Sequence, residues 1–211
     1  MTDTAIARPR ARRKTRAEKA QATYQNLMDA AAKVVGEEGY AAASITKITA
    51  QAKVAHGTFY NYFQDRQDLF DKLLPYVGRQ LTDRIVEDVK GVGDSLAREV
   101  ARFRSYCDYL CEYPGFYRVL YEAEVFAPKA HAEHMKRLTE GYRRALDRAV
   151  AKGDITGYQD QEIDALAWMM LGVRAYIAMR YFSAGSKSIS IPESVISAYE
   201  KLLKNGMFSA P

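Results

Sequence analysis

Residues 44–66 read Ser-Ile-Thr-Lys-Ile-Thr-Ala-Gln-Ala-Lys-Val-Ala-His-Gly-Thr-Phe-Tyr-Asn-Tyr-Phe-Gln-Asp-Arg, and this stretch decides the fold of the N-terminal part of the chain. Its apolar spacing predicts a first helix over 45–52, for which Ser44 is a suitable N-cap. A tight turn follows, and a second short helix is predicted over about 56–62. The outer face of this second helix is small, polar and aromatic, which suits the major groove of B-DNA. The stretch therefore predicts a helix-turn-helix that binds DNA.

The second predicted helix is expected to be held from behind by Phe59 and Phe63, which point inward. Its other side chains are then free for base edges or phosphates, since tyrosine and threonine hydroxyls reach phosphates and an asparagine amide can pair with an adenine edge. The predicted DNA contacts in this helix are His56, Gly57, Thr58, Tyr60, Asn61 and Tyr62.

Helical patterns continue on both sides of this stretch, with no strand alternation. A preceding helix is predicted over about 18–38, where Gly39 ends it. We therefore predict an all-α fold, with an N-terminal three-helix helix-turn-helix domain and a C-terminal helical ligand-binding and dimerisation domain. The predicted boundaries are a disordered basic arm over 1–17, the helix-turn-helix domain over 18–66 and the C-terminal domain over 67–211.

The charge of the 211-residue chain is uneven. The net charge is +5, and seven Lys and Arg side chains lie before residue 20. This arm would meet a polyanion, or it would be only a solubilising tail. We find no signal peptide and no membrane-spanning run, and two cysteines at helical spacing, Cys107 and Cys111, indicate reduced thiols. A cytoplasmic protein without a membrane partner is expected.

The helix-turn-helix stretch resembles the DNA-binding domain of TetR-family transcriptional regulators over roughly residues 20–72. The resemblance implies an all-α homodimer that binds double-stranded operator DNA, with a fourth helix joining the DNA-binding domain to a larger ligand-binding domain. The matching positions are Gly39, Tyr40, Ile45, Ile48, Ala52, Val54, Gly57 to Phe63, and Leu69.

Two positions depart from the family pattern, and four more contacts are implied by it. Lys53 stands where the turn commonly has Gly, and Ala55 stands where a Ser or Thr usually caps the recognition helix. Each departure would cost about 1 kcal/mol. By the resemblance, the further DNA contacts are Ser44, Thr46, Lys47 and Arg66.

The C-terminal helices are rich in aromatic residues that could line an apolar cavity, although aromatic residues at helical spacing are more often core. Arg174 interrupts an apolar helix, and a buried Arg needs an anion. Glu122 or Glu124 could supply this anion, or a ligand phosphate or carboxylate could. The candidate ligand-binding residues are Phe103, Cys107, Phe116, Tyr117, Tyr121, Tyr142 and Arg174.

The stretch 116–128 is similar to that of TetR-family members associated with acyl-CoA or aromatic catabolism. This similarity makes a CoA thioester of an aromatic or fatty acid the leading small-molecule effector. The thioester's phosphates would need a basic groove near Arg102, Arg104, Arg118 or Arg174. The expected function is a repressor that a small apolar effector releases from a palindromic operator.

A helix-turn-helix monomer reads few base pairs, so a homodimer is expected, with the last two helices as the candidate interface. Those helices could instead only close the core of their own subunit. No cofactor and no metal are expected. His131 and His134 have metal-ligating spacing but lack a convincing third ligand, so they are expected to face solvent.

Two other function classes compete with the repressor. A helical enzyme would need a nucleophile elbow, a phosphate loop or a metal motif, and the sequence offers none of these. An architectural DNA-binding protein without an effector would have a filled C-terminal core without a cavity.

Overall fold

The computed structural model describes residues 15–182 and 190–207, and in these ranges the chain forms nine α-helices and no strand. The predicted all-α fold class is confirmed, while most of the predicted arm lies outside the described residues. The helices are α1 (Arg16–Glu38), α2 (Ile45–Gln51), α3 (His56–Phe59), α4 (Arg66–Asp88), α5 (Ser95–Glu112), α6 (Gly115–Phe126), α7 (Pro128–Ala151), α8 (Asp160–Phe182) and α9 (Glu193–Asn205).

Helix α1 is the scaffold of the N-terminal domain. It begins two residues before the predicted start, because Thr15 and Glu18 form a capping box that satisfies the first backbone N–H groups. It ends at Gly39, whose φ of 86° is readily adopted only by glycine. Its buried stripe packs on α2 and α4 and consists of Leu27, Met28, Ala30, Ala31, Val34 and Val35.

The C-terminal end of α1 is tightly joined to α6. The backbones of Gly36 and Gly115 cross so closely that a Cβ on Gly36 would lie 2.6 Å from the Gly115 Cα. Beside this crossing, the Tyr40 hydroxyl donates to the Val119 carbonyl at 3.1 Å, and the Tyr40 N–H donates to a Glu122 carboxylate oxygen at 2.9 Å. The DNA-binding domain is therefore fixed directly to α6.

Helix α4 connects the two domains and continues through Pro75. Its N-terminal half packs in the helix-turn-helix core, and its C-terminal half packs against α5 and α7. At Gly78, α4 meets His134 of α7, because the absent Cβ leaves room for the imidazole ring. Helix α4 thus contacts both the DNA-binding domain and the interior of the C-terminal domain.

Helices α8 and α9 close the C-terminal domain. On these two helices, which are the candidate dimer interface, Ile163, Ala167, Ile196 and Tyr199 are buried within the subunit itself. A different set of large apolar side chains on these helices is exposed: Trp168, Met169, Tyr176, Met179 and Leu202. In the described ranges, no helix is long and apolar enough to cross a membrane.

Candidate DNA-reading surface and effector cavity

The helix-turn-helix is built by local caps and by a brace from α1. The Ser44 hydroxyl accepts a hydrogen bond from the Lys47 N–H at 3.2 Å, which caps α2 as predicted. The Asn26 amide of α1 donates to the Ala52 carbonyl at 2.6 Å and holds the turn from behind. Helix α3 ends at Phe59, so the residues from Tyr60 onward form a turn rather than the longer predicted helix.

Both departures from the family pattern appear in the geometry of the turn. Lys53 has a φ of 54°, in the left-handed region where a glycine would be less strained. Ala55 is the N-cap of α3 and gives no side-chain hydrogen bond to it. The short recognition helix is therefore held by the buried Phe59 and Phe63 behind it more than by capping.

The residues predicted to read DNA lie in this short helix and in the turn after it, and they differ in exposure. His56, Gly57, Tyr60 and Asn61 are exposed. Thr58 is half-buried, and so is Tyr62, whose ring lies 6.4 Å from that of Tyr24 on α1.

Gly57 leaves open space at the start of α3. A Cβ at Gly57 would meet nothing within 4 Å, and the residue does not have the positive φ that would require a glycine. Glycine in a helix costs up to about 1 kcal/mol relative to alanine. Because nothing in the described chain needs this glycine, its small size favours close approach by a partner from outside.

The two cations predicted to contact DNA have weak attachments within the chain. Lys47 forms an exposed ion pair with Glu38 of α1. Arg66 is exposed, donates to the Ala43 carbonyl at 3.5 Å and lies over the Phe70 ring. Exposed ion pairs contribute at most about 1 kcal/mol, so a phosphate can replace these partners. The predicted contacts Ser44 and Thr46 lie at the start of α2 beside Lys47.

Two cavities lie in the C-terminal domain on the inner side of α7. The first has a volume of about 500 Å³, and its walls come from α4, α7 and Arg102 of α5. The second has a volume of about 380 Å³ and lies among α5, α7, α8 and α9. Arg102, Tyr142 and Ala145 line both cavities, so the two cavities lie side by side at these residues.

A buried polar cluster lies beside these shared lining residues. Arg174 donates to Glu99 at 2.7 Å and to the Met170 carbonyl at 3.0 Å, and the Tyr199 hydroxyl donates to Glu99 at 2.9 Å. The anion that Arg174 needs is therefore Glu99 of α5. The prediction that Glu122 or Glu124 supplies this anion is wrong.

Those two glutamates lie elsewhere. Glu122 instead accepts from Tyr40 and pairs with Arg118, and Glu124 is exposed.

The predicted ligand-binding residues are only partly brought together. Tyr142 lines both cavities, and Phe103 lies on a shallow groove between α8 and α9. Cys107 and Phe116 are buried in the core, where Tyr117 and Tyr121 pack on each other at a centroid distance of 4.6 Å. Burial raises the pKa of the Cys107 thiol to about 12, so the thiol stays protonated.

The basic residues suggested for a phosphate groove are separated in the same way. Arg104 is paired with Glu193, and Arg118 donates to the Glu37 carbonyl at 2.7 Å. Arg102 is the member of this set that lines the cavities. Sequence reasoning missed the cavity arginines Arg79 and Arg137, which lie one on α4 and one on α7 and come together only in the folded chain.

His134 is buried, and the prediction that it faces solvent is wrong. It lines the first cavity, and its Nε2 atom has no hydrogen-bond partner. Burial lowers the pKa of His134 to about 4, and the positive charges of His131 and Arg137 act in the same direction. Among the described residues, no group of three or more His, Cys, Asp or Glu side chains could hold a metal ion.

The described geometry defines a helix-turn-helix DNA-binding protein with an all-helical second domain that contains cavities. Residues 27–73 match the profile of bacterial regulatory proteins of the tetR family. The DNA-binding domain of this chain therefore matches that family, as the sequence resemblance indicated.

Known relatives extend the similarity beyond the DNA-binding domain. The chain is 26% identical over 144 residues to the fatty acid metabolism regulator protein of Bacillus subtilis (strain 168), which is 67% of this chain and 73% of that protein. Its fold matches a crystal structure of the transcriptional regulator FadR from Bacillus subtilis in complex with stearoyl-CoA. The TM-score is 0.76 and the identity 22%, with 88% of this chain and 100% of that chain covered.

A second solved structure shows the same fold. The fatty acid degradation regulator FadR from Bacillus halodurans matches with a TM-score of 0.76 and 20% identity, over 89% of this chain and 97% of that chain.

Proposed function

We propose that this regulator is a repressor that binds a palindromic operator as a homodimer and is released when a fatty acyl-CoA thioester enters its cavities. The observation that carries the proposal is the position of α4. Six residues separate this helix from α3, and its C-terminal half forms one wall of the first cavity. A ligand in that cavity therefore pushes directly on the helix that positions the DNA-reading surface.

The effector class is supported by the composition of the cavities. The second cavity has both charged and apolar lining residues, and its apolar part, which includes Leu146, Ile155 and Met170, suits an alkyl chain. Arginine side chains line the first cavity and suit the phosphates of CoA. The relative that binds stearoyl-CoA has the same fold, and an alkyl chain fills an elongated pair of cavities better than a rigid aromatic ring does.

The homodimer is supported by the exposed faces of α8 and α9. Met169 and Tyr176 lie about two helical turns apart on one side of α8 and are 63% and 70% exposed. On α9, Leu202 is exposed and borders an apolar groove between the two helices. Exposed apolar patches of this kind mark interaction sites, and a two-fold partner would bury this one in a four-helix bundle.

Release of the operator would follow from a difference in the effector's affinity for two arrangements of α4. An effector that fits only the arrangement with α4 displaced from α7 shifts the population toward that arrangement. The shift changes the separation of the two recognition helices of the dimer, so that they no longer fit two half-sites one DNA turn apart. The presence of cavities argues against an architectural DNA-binding protein that has no effector.

Gel-shift titrations with the chain's own upstream DNA test this proposal. We expect specific binding that palmitoyl-CoA abolishes at micromolar concentration and that CoA alone leaves intact. Gly57→Ala should weaken operator binding by about 1–2 kcal/mol without loss of fold, because its new methyl group fills space reserved for DNA. Unchanged affinity of the Gly57→Ala variant would contradict the assigned surface, and release by aromatic acids but by no acyl-CoA would contradict the effector.

A further inference from the structure

We infer that the junction of the two cavities, formed by Arg102 and Tyr142, binds the acyl carbonyl oxygen of the effector and so determines specificity for its fatty acyl group. This inference rests on the proposed function, since it places one part of the effector in the same cavities.

The position of the junction is the first argument. Tyr142 and Ala145 lie one turn apart on α7, and Arg102 faces them from α5. Since all three residues line both cavities, a ligand that extends from one cavity into the other passes between them. The junction is thus the point where the two ends of a long ligand are joined.

Unused hydrogen-bond donors are the second argument. Arg102 makes a single hydrogen bond within the described chain, to Glu99 at 3.3 Å, although a guanidinium has five N–H donors. The Tyr142 hydroxyl has no hydrogen-bond partner among the described residues, and burial raises the pKa of Tyr142, so it stays a neutral donor. Two residues on different helices, α5 and α7, therefore line both cavities with hydrogen-bond donors that an acceptor oxygen of the effector can use.

The charge of the buried cluster is the third argument. Arg102 and Arg174 share the single carboxylate of Glu99, and the side chains of these three residues are at most 19% exposed. Arg174 is satisfied by its short hydrogen bonds and lies 4.9 Å from the centre of the Tyr142 ring. The unbalanced positive charge thus falls on Arg102, which favours a partly or fully negative oxygen beside it.

The distribution of other groups identifies this oxygen as the carbonyl rather than a phosphate. Arg79 and Arg137 at the rim of the first cavity are exposed and have no carboxylate partner in the described ranges, so they can bind phosphates in contact with water. The second cavity is lined by charged residues such as Arg148 and Lys152, but it also has an apolar part, formed by side chains that include Leu146, Ile155 and Met170, which can hold the alkyl chain. The thioester carbonyl lies between the phosphates and the alkyl chain of an acyl-CoA, and the less exposed donors Arg102 and Tyr142, which line both cavities, suit this neutral oxygen better than a charged phosphate.

Calorimetric titration of the full chain with palmitoyl-CoA, free CoA and palmitate tests the inference. Arg102→Gln should weaken palmitoyl-CoA binding by about 10- to 100-fold, because a charged hydrogen bond is lost. Tyr142→Phe, which removes only the hydroxyl, should weaken it by about 3- to 10-fold. Arg104→Gln is the matched control, because it removes the same charge from a residue two positions along α5. Arg104 is paired with Glu193 and lines neither cavity, so this variant should change palmitoyl-CoA affinity less than about 2-fold.

The three ligands separate the outcomes. If Arg102→Gln and Tyr142→Phe leave palmitoyl-CoA affinity unchanged, or weaken free CoA as much as palmitoyl-CoA, the junction does not bind the acyl oxygen and the effector proposal is unaffected. If palmitate binds with the same dependence on Arg102 and palmitoyl-CoA does not, the acyl oxygen site is supported and the effector is the free acid. If the unsubstituted chain binds neither acyl ligand, the effector proposal and this inference both fail.

Discussion

The two places where the C-terminal domain meets the helices that carry the DNA-reading surface differ in how tightly they are packed. Where α1 meets α6, two glycine backbones touch, and both the hydroxyl and the N–H group of Tyr40 are satisfied across the contact. Where α4 meets α7, the contact includes a cavity of about 500 Å³ and a buried histidine nitrogen without a partner. A close-packed contact transmits displacement, whereas a loose one can be changed by a ligand. In the proposed function, α6 therefore anchors the DNA-binding domain, and the gap between α4 and α7 is where the effector is sensed.

The largest effect is expected from Gly36→Ala. The new Cβ would lie 2.6 Å from the Gly115 Cα and 3.1 Å from its carbonyl carbon, and neither backbone can move without shifting a helix. We expect a loss of about 3 kcal/mol in the free energy of unfolding, at the upper end for overpacking. Equilibrium urea denaturation at fixed protein concentration measures this loss of stability.

Gly57→Ala is the matched control for that measurement, because the same added methyl group meets nothing within 4 Å. Its stability should be unchanged or slightly raised, since alanine favours the helix. Equal stability of the Gly36→Ala and Gly57→Ala variants would show that the α1–α6 contact is not tight, and the proposed anchoring role would be lost.

Sequence reasoning succeeded where the information is local. The helix-turn-helix lies in one continuous stretch, so the Ser44 cap and the apolar spacing could be predicted from neighbours in the chain, while the strained position of Lys53 was indicated by the family resemblance. The partner of Arg174 could not, because Glu99 is 75 residues away and the pair forms only when α5 packs beside α8.

The same limit explains the other errors. Helix α8 is apolar on all sides, so its sequence did not indicate which face turns inward. The burial of His134 depends on the missing side chain of Gly78 on another helix, and its own helix, rich in charged residues, suggested exposure.

The second largest effect is expected in the pH dependence of the free energy of unfolding, through the unpartnered His134. Its pKa is about 4 in the folded chain, against an ordinary value of 6.5, so the unfolded chain binds the proton more readily. Stability should therefore fall as the pH drops from about 6.5 towards 4 and should be insensitive to this group above 6.5. Between pH 7 and pH 4.5 the loss due to His134 should be about 2 kcal/mol.

The variant His134→Leu isolates this contribution, because leucine fills a similar volume and cannot titrate. Urea denaturation of both proteins across this pH range should give a shallower decline for the variant and a gain of about 1 kcal/mol at pH 7, where the unsatisfied nitrogen is removed. Parallel declines would mean that the His134 imidazole has a hydrogen-bond partner or a water molecule in solution. The α4–α7 contact would then lack the unsatisfied nitrogen that distinguishes it from the α1–α6 contact.

The smallest effect is expected from Gly78→Ala, the same substitution as Gly36→Ala made at the looser contact. A Cβ there would lie 2.5 Å from Cε1 of His134, which is nominally as severe an overlap as at Gly36. The obstacle is the end of a side chain beside a cavity, however, so the ring can rotate into free volume while α4 gains helix propensity. We expect a loss of only about 1 kcal/mol by urea denaturation, together with weaker palmitoyl-CoA binding, because the displaced ring occupies part of the effector's space. A loss as large as that of Gly36→Ala would show that the α4–α7 contact is as rigid as the α1–α6 contact, and α4 could then not respond to a ligand by moving away from α7.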